Sequence, residues 1–380
     1  MLEPPSPYYN LNKLRRWKEK SICYPIDIES EVPGMADTTQ QTGPESVPAI
    51  KVANMKTYLH DIMQDDMKDF LNAGQTKSGY ANIDAITNIY PGLYVIGAIS
   101  SLGKTTFIHQ MCDQMAQNGE YIIYFSLEQS TLELASKSLS RIMAQKDASN
   151  ALTSLQIRKN GTDSRVADAV AQYDGYANNI TIVECSFRAT IDDIENYVND
   201  FIKTKGVKPV VVVDYLQVIQ AAPDSKMTTK DLVDSHVRRL KQLQSDNKIA
   251  MIVISSLNRQ NYLTQIDYES FKESGGIEYT ADVIWGLQLT VLHDDVFNSQ
   301  AKINEKRQKV RDAKAANPRK IELVCLKNRF GVSSYSCAFD YYPQFDMFKP
   351  ILDGIDLSFS ENKDKDGFMT LPNDFECPFN

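Results

Sequence analysis

The chain has 380 residues, of which 42% are hydrophobic, and it carries a formal net charge of −8 at neutral pH. This length accommodates two domains of average size or one large α/β domain with tails, and the hydrophobic fraction is sufficient for a substantial core. The negative charge excludes a protein that coats nucleic acid with its whole surface, but a nucleic-acid channel needs only local positive charge.

The sequence also argues against a membrane span, a signal peptide and a metal cluster. No apolar run is long enough to cross a bilayer, and no apolar segment follows the basic residues near the N-terminus. The six cysteines have no C-x-x-C spacing and the four histidines are scattered, which disfavours a disulfide framework or a zinc site. Most cysteines lie in apolar runs, as expected for reduced thiols in a cytoplasmic protein.

Composition divides the chain into four parts. Residues 1–50 are rich in Pro, Ser, Thr and Gln without a sustained hydrophobic period, which predicts a flexible arm or linker. Residues 51–75 have apolar side chains at helical spacing and predict a linker helix, which packs either on a neighbouring subunit or on its own core. Residues 76–348 form the predicted main domain, and residues 349–380 form an acidic tail that we expect to be disordered.

The main domain alternates strand-like and helix-like segments, which predicts a mostly parallel, twisted sheet with helices on both faces. Capping boxes at Ser130 and Thr190 mark the starts of two helices. The charge-dense run 302–320 predicts a solvated helix or an insertion rather than a site. Strands are expected at residues 93–96, 121–125, 180–183, 210–213, 249–255, 284–289 and 321–326, with a hairpin partner at 334–340.

Residues 97–105 (GAISSLGKT) carry the most informative pattern of the chain. They follow an apolar run and precede a helix-like run, so they predict a strand, a tight loop and a helix. A helix N-terminus binds anions through its unpaired N–H groups and its dipole. Lys104 can reach the β- and γ-phosphates of ATP, and the Thr105 hydroxyl can bind Mg²⁺. The predicted cofactor-binding residues of this loop are Ala98, Ser100, Ser101, Gly103, Lys104, Thr105 and Thr106.

Two acidic residues end strands of the predicted sheet. Asp214 follows four valines, and a carboxylate at the end of a central strand lies beside the phosphate loop, where it can hold Mg²⁺. Glu128 ends an earlier strand, residues 122–127, and is placed to activate the attacking water as a general base. The spacing of Glu128 alone fits equally well with a residue in the first turn of the next helix.

Polar residues also follow two later strands. Ser256, within residues 255–259 (SSLNR), can sense the γ-phosphate of ATP. Lys327 and Arg329 are two residues apart on a strand, so they point the same way and can reach one anion. In an oligomer that anion can be the ATP of a neighbouring subunit, as for an arginine finger. From the residues alone, a solvated strand end is the simpler interpretation.

In this order, these segments resemble the C-terminal ATPase domain of DnaB-type replicative DNA helicases, within the RecA-like superfamily. The resemblance covers residues 75–348. The segments are residues 98–105 (AISSLGKT), 125–128 (FSLE), 214–217 (DYLQ), 255–259 (SSLNR), 273–278 (ESGGIE) with Ala281 and Asp282, and 327–331 (KNRFG).

The resemblance implies a RecA-like P-loop ATPase that acts as a ring-forming DNA helicase with ATP and Mg²⁺. It implies that Glu128 is the catalytic base and that Arg329, with Lys327, acts on the ATP of the adjacent subunit. It implies a DNA path lined by Lys272, Glu273 and Gly275, and by the loop after Asp214 near residues 225–230. The implied partners are single-stranded DNA, further copies in a hexamer, and a primase or a helicase loader.

Three departures from the family pattern keep other functions open. Ser256 stands where the family usually has a glutamine that contacts the γ-phosphate, and Lys272 stands where many members have arginine. Residues 1–50 have no counterpart of the family's helical N-terminal domain, which suggests a phage-like or element-borne helicase or part of a primase–helicase. The alternatives are a non-translocating RecA-like ATPase that regulates a protein partner, and a DNA-binding ring that holds ATP but scarcely hydrolyses it.

Overall fold

A single sheet of nine strands, in the order β3-β2-β4-β5-β1-β6-β7-β8-β9, organises the protein. The computed structural model describes residues 54–221, 227–258, 262–271, 275–298 and 303–352. The strands are β1 (Gly92–Ala98), β2 (Ile122–Ser126), β3 (Ile180–Glu184), β4 (Val210–Asp214), β5 (Ala250–Ser256), β6 (Val283–Leu289), β7 (Arg319–Asn328), β8 (Ser336–Tyr342) and β9 (Met347–Pro350).

The first six strands are parallel to one another, and the last three add an antiparallel extension. The C-terminal ends of the parallel strands therefore share one edge of the sheet, here called the carboxyl edge, and the opposite edge is the amino edge. Strands β1 and β4 are buried along their whole length, as the apolar runs that encode them predict.

Helices connect the parallel strands, and the connections run one way along the sheet from β1 to β3 and the opposite way from β3 to β6. The long helices are α2 (Met63–Ala73), α4 (Lys104–Gln117), α5 (Thr131–Asp147), α7 (Ser164–Tyr173), α8 (Ile191–Lys205), α9 (Thr229–Asn247) and α12 (Ile303–Ala315). The short ones are α1 (Met55–Thr57), α3 (Ala81–Asp84), α6 (Ser154–Lys159), α10 (Gly275–Thr280) and α11 (Asp295–Asn298). Parallel crossovers are right-handed, so the connections from β1 to β3 and those from β3 to β6 place their helices on opposite faces.

The two predicted capping boxes are present and start the helices expected of them. The Ser130 side chain accepts from the Glu133 backbone N–H at the start of α5, and Glu133 caps Ser130 in return. Thr190 and Asp193 do the same for α8, which ends at Lys205 and is followed by Gly206 as its C-cap in the left-handed region, with φ 69°. These local signals fix where each helix begins beside the strand that precedes it.

The predicted linker helix is helical from α1 through a π-helical turn, Tyr58–Ile62, to α2. Phe70 of α2 stacks on Tyr90 with ring centroids 5.1 Å apart, and Tyr90 stacks on Phe330 at 5.3 Å. Much of its apolar surface is nevertheless exposed, which leaves area for a second contact. The exposed apolar side chains are Met55, Leu59, Ile62, Met67, Phe70 and Leu71.

Some elements differ from the sequence-based expectations. Helices α6 and α7 were not predicted, and with the end of α5 they form a small second core around Ile142, Met143 and Ile157. Strand β9 ends at Pro350, beyond the domain end expected at residue 348. The predicted arm, residues 1–50, and nearly all of the acidic tail lie outside the described residues.

Among the described residues, no helix is both long enough and apolar enough to cross a membrane. In the same residues, no group of three or more His, Cys, Asp or Glu side chains could hold a metal ion. The described cysteines are free thiols: Cys112, Cys325 and Cys337 are buried, and Cys185 is half-buried.

Candidate nucleotide-binding site

The loop between β1 and α4 has the backbone that phosphate binding needs. Ser101 has φ 64° and Gly103 has φ 95°, so both lie in the left-handed region. A side chain at Gly103 would also press against the rings of Phe348 and Tyr341, at 3.0 and 3.1 Å from its Cβ. Within the described part of the chain no side chain caps the start of α4, so the N–H groups of its first turn remain available to an anion.

A polar cavity of about 570 Å³ opens at this loop on the carboxyl edge. It brings together nearly all of the predicted cofactor-binding residues with Glu128, Asp214 and Ser256, which come from three other strand ends. Ala98 is an exception, because it is buried and contributes its carbonyl instead. The lining residues are Ser100, Ser101, Gly103, Lys104, Thr105, Thr106, Glu128, Gln129, Lys137, Asp214, Tyr215, Ser256, Arg319, Tyr341, Pro343 and Asp346.

Lys104 and Asp214 are the charged groups at the base of the cavity. Lys104 Nζ donates to the Ala98 carbonyl at 2.9 Å, and burial lowers the pKa of its ammonium group. Burial raises the pKa of Asp214, while hydrogen bonds from Tyr124 and Thr105 act in the opposite direction. The Tyr124 hydroxyl lies 2.8 Å from Asp214 Oδ2. The carboxylate and hydroxyl predicted to hold Mg²⁺ are therefore adjacent.

Glu128 and Ser256 come from the ends of β2 and β5, the two strands that flank the Asp214 strand β4. Glu128 follows β2 with its side chain exposed, inside the turn that the Gln129 N–H closes by donating to Ser126 Oγ at 3.2 Å. Ser256 ends β5, and its N–H donates to Gln217 Oε1 at 3.2 Å. Gln217 Nε2 in turn donates to Ser255 Oγ at 2.8 Å. The amide of Gln217 thus links the end of β5 to the segment that follows Asp214.

The same cavity is lined by further residues that the sequence did not indicate as site residues. Lys137 of α5 donates to Thr106 Oγ1 at 3.3 Å and lies 3.8 Å from Asp346 Oδ1, and burial lowers the pKa of its ammonium group. Arg319 and Tyr341 pair across β7 and β8, with the guanidinium 5.7 Å from the ring centroid. Pairing of β7 with β8 brings Arg319 and Tyr341 to the cavity, and helix α5 brings Lys137. Of these placements, the sequence shows only the helical position of Lys137 after the Ser130 cap.

Lys327 and Arg329 lie far from this cavity. Strand β7 begins with Arg319 at the carboxyl edge and runs antiparallel to β6, so its end reaches the amino edge. Nine strand steps of about 3.3 Å separate Arg319 from Asn328 by about 30 Å. The structure thus separates the predicted finger from the polar cavity of its own chain.

The finger segment is anchored at the amino edge through Asp282. Arg329 Nη1 lies 3.1 Å from Asp282 Oδ1, and the Arg329 N–H donates to the Asp282 carbonyl. The other carboxylate oxygen of Asp282 accepts from Lys241 Nζ at 2.6 Å and from the Leu93 N–H at 2.8 Å. Lys327 Nζ donates to the Glu278 carbonyl at 2.6 Å.

The two predicted DNA-contacting segments are brought to one surface cavity. Gly275 and Lys230 both line a depression of about 350 Å³, together with Glu269 and Glu278. Space around the Gly275 Cα is open, because an added Cβ would meet no atom of the described residues within 4 Å. The predicted contacts Lys272 and Glu273, and residues 225 and 226 of the other loop, lie outside the described residues.

Comparison with known proteins gives one family. The model of the family described as "DnaB-like helicase C terminal domain" matches residues 76–349. The chain is 25% identical over 283 residues to the replicative DNA helicase DnaB of Haemophilus influenzae, covering 72% of this chain and 58% of that protein. It is 24% identical over 261 residues to the DnaB helicase of Geobacillus stearothermophilus, covering 67% and 52%. The chain thus spans little more than half the length of these relatives.

Two solved structures share the fold. One is described as an ATPase domain and aligns with a TM-score of 0.62 at 18% identity, over 79% of this chain and 100% of that chain. The other is described as a DnaB-like replicative helicase and its interactions with primase, and it aligns with a TM-score of 0.61 at 18% identity, over 79% and 67%. The predicted RecA-like α/β fold is therefore confirmed.

Proposed function

Because the chain belongs to the DnaB-like helicase C-terminal domain family, we propose that it is the motor of an ATP-dependent, ring-forming DNA helicase. The observation that carries this proposal is the pair of half-sites on opposite edges of the sheet. The carboxyl edge holds Lys104, Thr105, Asp214 and Glu128 around one polar cavity, and the amino edge holds Arg329. In a head-to-tail ring each interface would join one half-site to the other.

The residues at the base of the cavity fit an ATP–Mg²⁺ complex. Lys104 and the N–H groups at the start of α4 would bind the β- and γ-phosphates. The Thr105 hydroxyl and the Asp214 carboxylate are adjacent oxygen donors of the kind that hold Mg²⁺. The bound ion would supply positive charge across the phosphate oxygens. For Asp214 the ion would also offset the cost of keeping a buried carboxylate charged.

Glu128 is the proposed general base. Its exposed carboxylate at the cavity wall can accept a proton from a water that attacks the γ-phosphate. Ser256, held through its backbone by Gln217, faces the same cavity but has a shorter side chain than glutamine. Any sensing of the γ-phosphate at this position would therefore pass through the hydroxyl or a bridging water.

Arg319, supported by Tyr341, is proposed to hold the nucleobase. The guanidinium presents a flat face on which a base can stack at the cavity wall, and the buried Tyr341 ring, itself stacked on Phe348, packs beside it. Stacking selects a base by shape rather than by hydrogen-bond pattern. We therefore expect weak discrimination between ATP and other nucleoside triphosphates.

The ring is expected to use two further surfaces. The exposed apolar side chains of the linker helix offer a contact for a neighbouring subunit. The surface that carries Lys230 and Gly275, with Lys272 and Glu273 close to Gly275 in the sequence, is proposed to contact single-stranded DNA along its phosphates. A hexameric ring and contact with a primase or a loader follow as proposals from the family membership.

The test measures ATP turnover with and without single-stranded DNA, alongside the mass of the particle in ATP. The proposed motor gives a ring in ATP and turnover that rises strongly with DNA. A particle that hydrolyses ATP without responding to DNA would favour a regulatory ATPase that acts on a protein. A ring that binds DNA and ATP with little turnover would favour the static ring, for which Ser256 is the motivating feature.

A further inference from the structure

The connection between β6 and β7 is much longer than an antiparallel pair requires. Antiparallel neighbours can be joined by a few residues. Here the connection covers residues 290–318 and includes α11 and α12. It lies at the carboxyl edge, because β6 ends there and β7 begins there. The charge-dense segment expected to be solvated therefore lies beside the phosphate loop.

Two cations, one near the end of this connection and one at the start of β7, donate hydrogen bonds to backbone carbonyls of the phosphate loop. Lys314 Nζ, in the last turn of α12, donates to the Ser100 carbonyl at 2.9 Å. Arg319 Nη1, at the first residue of β7, donates to the Ser101 carbonyl at 2.9 Å. Tyr262 holds Ser100 from another side, with its hydroxyl 3.0 Å from Ser100 Oγ, and the Lys314 ammonium lies 5.8 Å from the Tyr262 ring centroid.

We propose that Lys314 is a positioning residue for nucleotide binding, which acts through the Ser100 carbonyl with Tyr262 as its partner. This inference rests on the proposed ATP site and assigns a function to the β6–β7 connection. Lys314 is not among the residues that line the nucleotide cavity, so its effect passes through the backbone of the loop.

The planarity of the peptide bond explains how Lys314, outside the cavity, can affect the N–H groups of the loop that face the phosphates. In a trans peptide the carbonyl and the N–H of the next residue point in opposite directions. A lysine that holds the Ser100 carbonyl therefore fixes the direction of the Ser101 N–H. The positive charge also polarises this peptide unit and makes its N–H a stronger donor to phosphate. Arg319 has the same relation to the Leu102 N–H through the Ser101 carbonyl.

Lys309 provides a matched control on the same helix. Its ammonium pairs with Asp294 at 2.7 Å, so this ion pair lies within the connection itself. Lys314→Ala and Lys309→Ala each remove one positive charge from α12. A difference between them therefore reports the contact with Ser100 rather than the overall charge of the helix.

The experiment measures ADP binding by titration calorimetry, with ATP turnover and melting temperature recorded for each variant. We expect Lys314→Ala to raise the Kd for ADP by about 3- to 10-fold, as for one charged hydrogen bond in a partly exposed place. We expect it to raise KM for ATP in parallel with little change in kcat. Lys314→Arg should recover most of the affinity, and Lys309→Ala should match the parent.

A second variant tests the shared contact. Tyr262→Phe removes the hydroxyl bonded to Ser100, and we expect its effect on ADP affinity to be non-additive with that of Lys314→Ala. Equal ADP affinities in the Lys314→Ala and Lys309→Ala variants would overturn the inference. So would a loss of affinity accompanied by a lower melting temperature and not recovered by Lys314→Arg. A parent chain that bound no ADP would instead overturn the proposed nucleotide site, and this inference with it.

Discussion

Arg329 is predicted to complete the nucleotide site of a different subunit, and mixed rings can test this directly. Within one chain, β7 carries Arg329 to the amino edge, about 30 Å of strand away from the cavity that contains Glu128. An arginine side chain cannot span that distance. Arg329→Ala and Glu128→Gln subunits should therefore each form inactive rings while still binding ATP.

The expected recovery follows from counting interfaces. An active interface in a mixed ring needs an intact Glu128 on one side and an intact Arg329 on the other. In an equal, random mixture each condition holds for half of the subunits, so about one interface in four is complete. If the sites act independently, turnover should return to about a quarter of the parent rate. If the sites must hydrolyse ATP in order around the ring, the recovered turnover would be less than a quarter.

The assay mixes the two variants across a series of ratios and measures DNA-stimulated ATP turnover. Subunit exchange is verified by mass, with the two variants carrying different tags. Turnover should peak near the equal mixture and vanish at both ends of the series. A flat, inactive series in rings shown to be mixed would refute the action of Arg329 in trans. An Arg329→Ala ring with parent-level turnover would remove this residue from catalysis altogether.

Three further predictions concern single residues. Lys104→Ala should lower ATP turnover at least about 100-fold with an unchanged circular dichroism spectrum, because its hydrogen bond to the Ala98 carbonyl is a small part of the fold. Glu128→Gln should retain ATP binding by calorimetry but lower turnover by about 10²- to 10⁴-fold, since an amide cannot accept the proton; parent-level turnover would place the base elsewhere. Burial lowers the pKa of His109 to about 4 from an ordinary value of 6.5, so below pH 6.5 the unfolded chain binds a proton that the folded chain excludes. Stability should therefore be full above pH 6.5 and fall by up to about 3 kcal/mol towards pH 4, and urea unfolding of His109→Leu should show a shallower dependence.

The strand–loop–helix at residues 97–105 and the place of Asp214 at a strand end could be predicted because their signals are local. A Gly-Lys-Thr run between an apolar segment and a helix-like segment, and an aspartate after four valines, are each visible in a few consecutive residues. Asp163 caps α7, and the buried Val166 and Ala169 follow it at helical spacing, so the sequence also carries a local signal for this helix.

Other parts of the site depend on pairing between distant segments. Arg319 and Tyr341 reach the cavity only because β7 and β8 pair in one particular register. Lys314 contacts Ser100 only because the β6–β7 connection folds back over the loop. A charge-dense run carries no sign of this return, since the same composition suits a solvated helix.

Asp282 pairs with Arg329, but its carboxylate does not depend on Arg329 alone for hydrogen bonds and counter-charge. If Arg329 leaves Asp282 for a phosphate, as proposed, the carboxylate would keep the Lys241 ammonium at 2.6 Å and the Leu93 N–H at 2.8 Å. The buried carboxylate thus keeps a counter-charge, so the large penalty of breaking an isolated buried ion pair does not arise. The guanidinium is half-exposed and already solvated in part. Arg329 could therefore exchange the Asp282 carboxylate for a phosphate repeatedly at small net cost, as the proposed ring motor would require.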